Sequence, residues 1–389
     1  MTTYYFDHAA SAPRREAVTA AMAPWLHGVV ANPSGAHHAA RAAQRALEDA
    51  REAVAAHLGA RPGEVTFTAG GTESCQLAVA GRALWARRTR GRARLVVSAV
   101  EHHAVLDAAD WAARALGGVS VERAPVDADG RVTPEGFARL LDGDTALVSV
   151  MAANNETGVL QPLEAVRDAA ARVPGCATHT DAVAAAPWLD LARVTAGYDL
   201  VSVCAHKIGG PVNAGALVAR DGVGIDALVP GGGQERGRRG GTVDVAAAVG
   251  LAAALEGVAR ERAEVAARVG GYRDRLGAAL GALPGVRVTA ADATRLPGTL
   301  HLTVEGVASD ELLFVLDRSG VCASAAASCS SGASGPSHVL AAMGLDATRA
   351  RGSLRLSMGA ETTGEEVDAV TALVAAAIER LRGSGALAD

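Results

Sequence analysis

The stretch Val65-Thr66-Phe67-Thr68-Ala69-Gly70-Gly71-Thr72-Glu73-Ser74 decides how the fold is read. Its first four residues are a short run rich in β-formers. Two glycines follow, and a helical pattern then runs over residues 72–88. A strand that feeds a helix through a glycine turn is half of a βα unit. Outward from it, apolar runs at residues 95–99, 146–151 and 200–203 alternate with helical patterns such as 39–58. This alternation predicts an α/β chain with a mostly parallel sheet. Gly231-Gly232-Gly233 opens a Gly- and Arg-rich loop, and a long helical stretch spans about residues 243–283. Beyond Pro284-Gly285 the pattern changes to separated strands (residues 299–304 and 354–357) and helices (310–318 and 365–381), an α+β arrangement. The change places a domain boundary near residues 255–262.

The ends of those strands carry the residues with chemistry, where open α/β sheets hold their ligands. Gly70, Gly71 and Thr72 read as a phosphate cradle at a helix start, although the same residues also suit a plain strand-to-helix turn. Asp181 ends one strand, and His206-Lys207 follows the strand at 200–203. A carboxylate and a lysine at adjacent strand ends suit pyridoxal phosphate: the lysine forms a Schiff base and the carboxylate keeps the pyridine nitrogen protonated. Taken singly, each reads first as a surface or capping group, and it is the combination that points to the cofactor. His102 and His103 follow the strand at 95–99, where an imidazole can stack on a cofactor ring or stay solvated. Asn154-Asn155-Glu156-Thr157-Gly158 repeats the placement with amide donors.

The chain has 389 residues, 49% hydrophobic and 20% charged, which excludes wholesale disorder and suits two domains. Its longest apolar stretch, residues 245–255, falls short of the ~20 residues a membrane span needs. The start lacks the layout of a secretory signal, so a cytoplasmic, non-membrane protein is expected. A net charge of −5 argues against nucleic acid as a partner, despite Arg236, Arg238 and Arg239. The five cysteines form no C-x-x-C pair, so neither a disulfide framework nor a zinc site fits and no metal is expected. P-loop, strand-linked G-x-G-x-x-G, H-E-x-x-H and G-x-S-x-G signatures are missing.

Taken together, the chain resembles the cysteine desulfurases of the NifS/IscS type, class-V aminotransferases among the fold-type I pyridoxal-phosphate enzymes. The likeness rests on Asp7-His8-Ala9-Ala10, Asn32-Pro33-Ser34, Gly70-Gly71-Thr72-Glu73-Ser74, Glu101-His102-His103-Ala104, Asn154-Asn155-Glu156-Thr157-Gly158, His206-Lys207, Gly231-Gly232-Gly233-Gln234-Glu235-Arg236 and Pro336-Ser337-His338, in family order. The resemblance implies a large cofactor domain at 14–257 with a seven-stranded sheet, and a small domain from 1–13 and 258–389. It implies Lys207 as the Schiff-base lysine, Asp181 at the pyridine nitrogen and His102 stacked on the ring. Gly71, Thr72 and His206 hold the phosphate on this reading, with Thr242 reaching in from a second subunit of a homodimer. Asn155 lies beside the cofactor hydroxyl, and Asn32 and Arg355 take the carboxylate of L-cysteine. Cys329, in a loop of small residues, matches the family's nucleophile, which carries sulfur as a persulfide to an acceptor protein.

Three departures stand out. The run Asp181-Ala182-Val183-Ala184 has alanine where the family usually has a glutamine, and the segment to Leu189-Asp190 is about two residues shorter than usual. Cys204-Ala205-His206 replaces Ser-Gly-His or Ala-Gly-His. Ala326-Ala327-Ser328 replaces Gly-Ser-Ala. These leave room for a specialised sulfur donor beside an iron–sulfur housekeeping role. The rival readings are a selenocysteine lyase or other β-eliminating or transaminating enzyme of the same fold, and a non-catalytic sulfur-transfer partner.

Overall fold

The computed structural model describes residues 2–27, 31–325 and 337–385. The strands are β1 (Tyr4–Tyr5), β2 (Val65–Thr68), β3 (Ala93–Ser98), β4 (Val119–Ala124), β5 (Thr145–Ser149), β6 (Ala177–Asp181), β7 (Leu200–Cys204), β8 (Gly215–Ala219), β9 (Val286–Val288), β10 (Thr299–Val304), β11 (Val321–Cys322) and β12 (Ser353–Ser357). Seven of them form one sheet in the order β2-β8-β7-β6-β5-β3-β4. The neighbours from β7 through β4 pair in parallel, and β8 lies antiparallel to both β2 and β7. Because β2 and β7 both oppose β8, β2 points the same way as the parallel strands. The C-terminal ends of β2, β3, β5, β6 and β7 therefore share one edge of the sheet.

The inner strands β5 to β8 are buried at every residue, as a sheet covered by helices on both faces requires. The edge strand β4 carries Ser120, Glu122 and Arg123 and is half-exposed. The helix Gly71–Arg90 covers one face with Leu77, Ala78 and Ala83, and ends where Gly91 turns left-handed (φ 78°) and donates to the Arg87 carbonyl at 3.0 Å. Burying a side chain such as Leu95 or Leu147 in this layer stabilises by about 1.5–3 kcal/mol.

The helix Val245–Gly281, started by Asp244 accepting from Ala247 N–H at 3.0 Å, has 37 residues and spans about 55 Å. Its first half packs Leu251, Leu255 and Val258 into the core of the large sheet. Its second half puts Val265, Val269, Leu276 and Leu280 into a second core under the antiparallel sheet β12-β10-β9. The N-terminal segment joins that second core: β1 pairs with β11, and Phe6 is fully buried there. We propose that this switch of cores, inside one helix, marks the division between 14–257 and the remainder. Among the described residues no helix is long and apolar enough to cross a membrane.

Candidate active site

A cavity of ≈ 610 Å³ opens at the shared strand edge. Gly70, Gly71 and Thr72 reach it from the end of β2, His102 from β3, Asn155 from β5, Asp181 from β6, and His206 and Lys207 from β7. Each lies where an apolar run stops and the chain turns back, so one geometric rule gathers residues far apart in sequence.

At one end of the cavity, the helix Gly71–Arg90 begins without a capping side chain, leaving first-turn N–H groups free to meet an anion. Gly70 has φ 147°, a conformation open to glycine alone, and a Cβ on it would meet nothing within 4 Å. Glu73, in the same turn, also lines the cavity, and its carboxylate is paired with Arg239 Nε at 2.9 Å. His206 stands close by, and burial, reinforced by Lys207, pushes its imidazole down to about 4. At neutral pH it meets an anion as a neutral N–H donor.

Asp181 forms the cavity floor. Its Oδ1 accepts from Val183 N–H at 2.9 Å. Burial pushes its pKa up, while the nearby His102 imidazole and the Lys207 amine oppose that rise. A cation placed against Asp181 favours its carboxylate form. His102 caps the helix His103–Ala115, its Nδ1 accepting from Ala104 N–H at 3.0 Å. Burial holds its pKa below the ordinary histidine value. The neutral ring therefore carries its proton on Nε2. Lys207 Nζ, in the turn after β7, donates to the Ala9 carbonyl of the N-terminal segment.

Other expected residues lie elsewhere. Arg355, on β12, is buried, with Nη2 on Asp7 Oδ1 at 2.8 Å and Nη1 on the Asn155 carbonyl at 3.0 Å; its Nε has no partner among the described residues. It is tied to the cavity wall through Asn155 and does not line the cavity itself. Asn32 and Thr242 share a pocket with Gln234 and Glu235 and do not line the cavity of Lys207, although Thr242 also lines a pocket with Ala69 and Asn213, which border that cavity. Cys329 falls outside the described residues. Ala184 lines the cavity and, with Lys207 and Asn155, also an adjoining cleft near Trp188 between the two cores. The structure adds residues that carried no assigned role in the sequence. Asp7 and Ala9 hold Arg355 and Lys207, and Glu101, Cys75 and His179 lie buried behind Asp181.

The aminotransferase class-V family model matches residues 4–370. The chain belongs to the class-V aminotransferase family. It is 44% identical to an IscS-like cysteine desulfurase of Mycobacterium tuberculosis, over 97% of each chain. A solved NifS-like protein superposes with a TM-score of 0.89 at 33% identity, covering 98% of this chain and 100% of that one. The structure of SspA in complex with cysteine matches at 0.80 and 31% identity, covering 93% and 100%. The resemblance to cysteine desulfurases of the NifS/IscS type and the fold expected from it are both borne out. This family works with pyridoxal phosphate, and the cavity suits that group. An uncapped helix start offers N–H donors to a phosphate, Lys207 an amine to an aldehyde, and Asp181 a buried carboxyl to a ring cation.

Proposed function

We propose that the chain converts L-cysteine to L-alanine with pyridoxal phosphate, taking the sulfur onto Cys329 as a persulfide. The persulfide then passes to an acceptor, in iron–sulfur assembly or in a specialised thiolation pathway. The observation that carries this reading is the convergence of Lys207, Asp181, His102 and the Gly70-Gly71-Thr72 helix start on one cavity.

Gly71, Thr72 and His206 hold the phosphate, and Asp181 holds the ring nitrogen as its cation. His102 would cover the ring and Asn155 would meet its hydroxyl, both from the cavity wall. When bound, pyridoxal phosphate supplies an electron sink joined to the substrate's Cα. Lys207 Nζ is the amine that anchors the cofactor and, once released, moves the Cα proton. His102, with its proton on Nε2, is the second proton carrier. In net terms the Cys329 thiolate forms an S–S bond to the substrate sulfur and the substrate C–S bond breaks. The carbon keeps the electron pair and takes a proton, giving L-alanine.

Arg355 takes the substrate carboxylate in this reading, through its unpartnered Nε and by exchange of Asp7 for the incoming carboxylate at Nη2. Asn32 and Thr242 line a common pocket and not the cavity of their own chain, which suits a homodimer in which they complete the partner's site. The cysteine bound in the related SspA structure supports L-cysteine as substrate. Titrating cofactor-free protein with pyridoxal phosphate, then adding L-cysteine, tests the reading. The expected result is a visible absorbance band that L-cysteine alters as L-alanine forms. Protein that takes up no cofactor, or that takes it up and leaves L-cysteine unchanged, would overturn it.

A further inference from the structure

Ser337 and His338 do not line the cavity, yet each bonds to a turn that does. Ser337 Oγ donates to Glu156 Oε2 at 2.5 Å and accepts from Leu340 N–H at 3.2 Å, which starts the helix His338–Ala342. His338 Nε2 donates to the Glu101 carbonyl at 2.9 Å, and the rings of His338 and His103 meet edge-on with centroids 4.7 Å apart. Glu156 follows Asn155 and Glu101 precedes His102, so each bond lands one residue from a side chain of the cavity. Val339 and Leu340, on the same short helix, are buried in one cluster with Val100.

The two turns are themselves joined. Asn154 Nδ2 donates to the Val100 carbonyl at 3.0 Å, and its Oδ1 accepts from the N–H groups of Glu156 and Thr157, both at 2.9 Å. Glu101 Oε1 accepts from Met151 N–H at 2.6 Å. Val100, Glu101, Asn154, Glu156, Thr157 and Ser337 are each no more than 4% exposed, so these bonds form away from water, where a polar group left without its partner is costly. Residues 337 and 338 thus sit on a seam built from both turns.

We propose that Ser337 and His338 form a clasp on this seam, and that with Glu156 they are positioning residues for sulfur transfer to Cys329. The role rests on the proposed function. Cys329 lies outside the described residues, eight positions before Ser337 and five after Ser324. Ser324 is paired with Arg355 through two backbone hydrogen bonds, of 2.7 and 3.2 Å, and Arg355 Nη1 in turn donates to the Asn155 carbonyl at 3.0 Å. Both ends of residues 325–336 are therefore fixed to neighbouring points of one wall. A chain extends by about 3.5 Å per residue, so Cys329 stays within about 28 Å of Ser337 and about 18 Å of Ser324. Tethering at both ends raises the effective concentration of the thiol at the cavity, and reactions between held groups depend steeply on placement. Loosening the clasp slows formation of the S–S bond and leaves the cofactor's own contacts intact.

Two readouts on the full-length chain test this. In cofactor-free protein, hydrogen exchange of the backbone amides of residues 338–343 is expected to quicken by about tenfold in Ser337→Ala and in His338→Leu. It is expected to stay near the wild-type rate in Glu156→Gln, which keeps an oxygen for Ser337, and in His338→Gln, which keeps an N–H for the Glu101 carbonyl. In cofactor-loaded protein mixed with L-cysteine, Ser337→Ala and His338→Leu are expected to keep the wild-type concentration dependence of the first absorbance change. Their persulfide is expected to form about tenfold more slowly, with the wild-type rate kept in Glu156→Gln and His338→Gln. Wild-type exchange in Ser337→Ala and His338→Leu would remove the clasp, and faster exchange with an unchanged persulfide rate would remove its role. Loss of cofactor binding or of the first absorbance change would assign these bonds to the cavity itself and overturn the proposal. Should Ser337→Ala fail to fold, His338→Leu, on the other bond, decides. A wild type that forms no persulfide counts against the proposed function, and exchange then decides the clasp alone.

Discussion

Lys207 and Arg355 are both held by the first ten residues of the chain, through the Ala9 carbonyl and the Asp7 carboxylate. Loss of the amine is decisive for the cofactor: Lys207→Ala is expected to lose the Schiff-base absorbance band while far-UV circular dichroism is unchanged. A variant that keeps the band would remove Lys207 from its role. The buried titratable groups also set how stability depends on pH. His179 and His301 each fall to about 3 in the folded chain from an ordinary 6.5, so the unfolded chain binds more protons between those values and stability drops as pH falls through that window. Glu101 and Glu156 rise from 4.5 to about 8 and about 7, so the folded chain binds more protons and stability drops as pH climbs from 4.5 toward those values. Each group contributes a slope of about 1.4 kcal/mol per pH unit. Between pH 4.5 and 6.5 the two pairs offset each other. Urea unfolding of cofactor-free protein is therefore expected to show a plateau between about pH 4.5 and 6.5 with losses on both sides; stability that climbs from pH 6.5 to 8 would contradict it. At this scale the cavity's Lys207, Asp181 and His102 were legible because each ends an apolar run. Glu101 and His179 were not, because their partners come from different strands and share no local spacing.

Among the elements, β2 and β10 fall on the bounds their apolar runs predict, and the helix Gly71–Arg90 starts one residue before the expected Thr72 because Gly70 supplies the non-helical cap. The antiparallel β8 escaped the reading: its Gly215-Ala216-Leu217-Val218-Ala219 carries no mark of direction. Strand β4 escaped because an edge strand mixes Ser120, Glu122 and Arg123 into its pattern. Gly70→Ala strains the turn after β2 without a clash and is expected to cost about 1–3 kcal/mol in thermal unfolding, and to weaken cofactor binding. The loop that carries Thr242 is strapped to the large domain by Glu235, whose carboxylate takes both Arg51 Nη1 (2.9 Å) and Nη2 (2.7 Å) and the Phe67 N–H (2.7 Å). Glu235 and Arg236 sit at φ 49° and 57°, so the strap also holds backbone that relaxes when freed. Glu235→Ala removes the buried carboxylate from Arg51 and the acceptor from Phe67 N–H, leaving Arg51 the exposed Glu48 (3.2 Å) and the Val65 carbonyl (3.0 Å), and is expected to cost up to about 3 kcal/mol in urea unfolding. The double variant Arg51→Met with Glu235→Leu is expected to recover much of that loss. Equal losses in both variants would show that the ion pair is not what matters.

On the scale of the whole molecule, the proposed dimer makes a prediction no single chain can meet. If Thr242 completes the partner's cavity, Lys207→Ala and Thr242→Ala chains are each impaired alone, yet a mixed dimer holds one intact site on the Thr242→Ala subunit. Activity is expected to reappear on subunit exchange; mixing that restores nothing would confine each site to one chain. The central claim concerns sulfur leaving L-cysteine for Cys329. Its most direct test is a single turnover of cofactor-loaded protein with L-cysteine, following L-alanine and protein-bound persulfide, with Cys329→Ala run in parallel. The expected result is about one equivalent of each product per active site in the wild type, with both lost in the variant while the cofactor band is kept. Alanine or pyruvate formed at the wild-type rate without Cys329 would contradict it, and would mean that the cavity serves a different elimination chemistry.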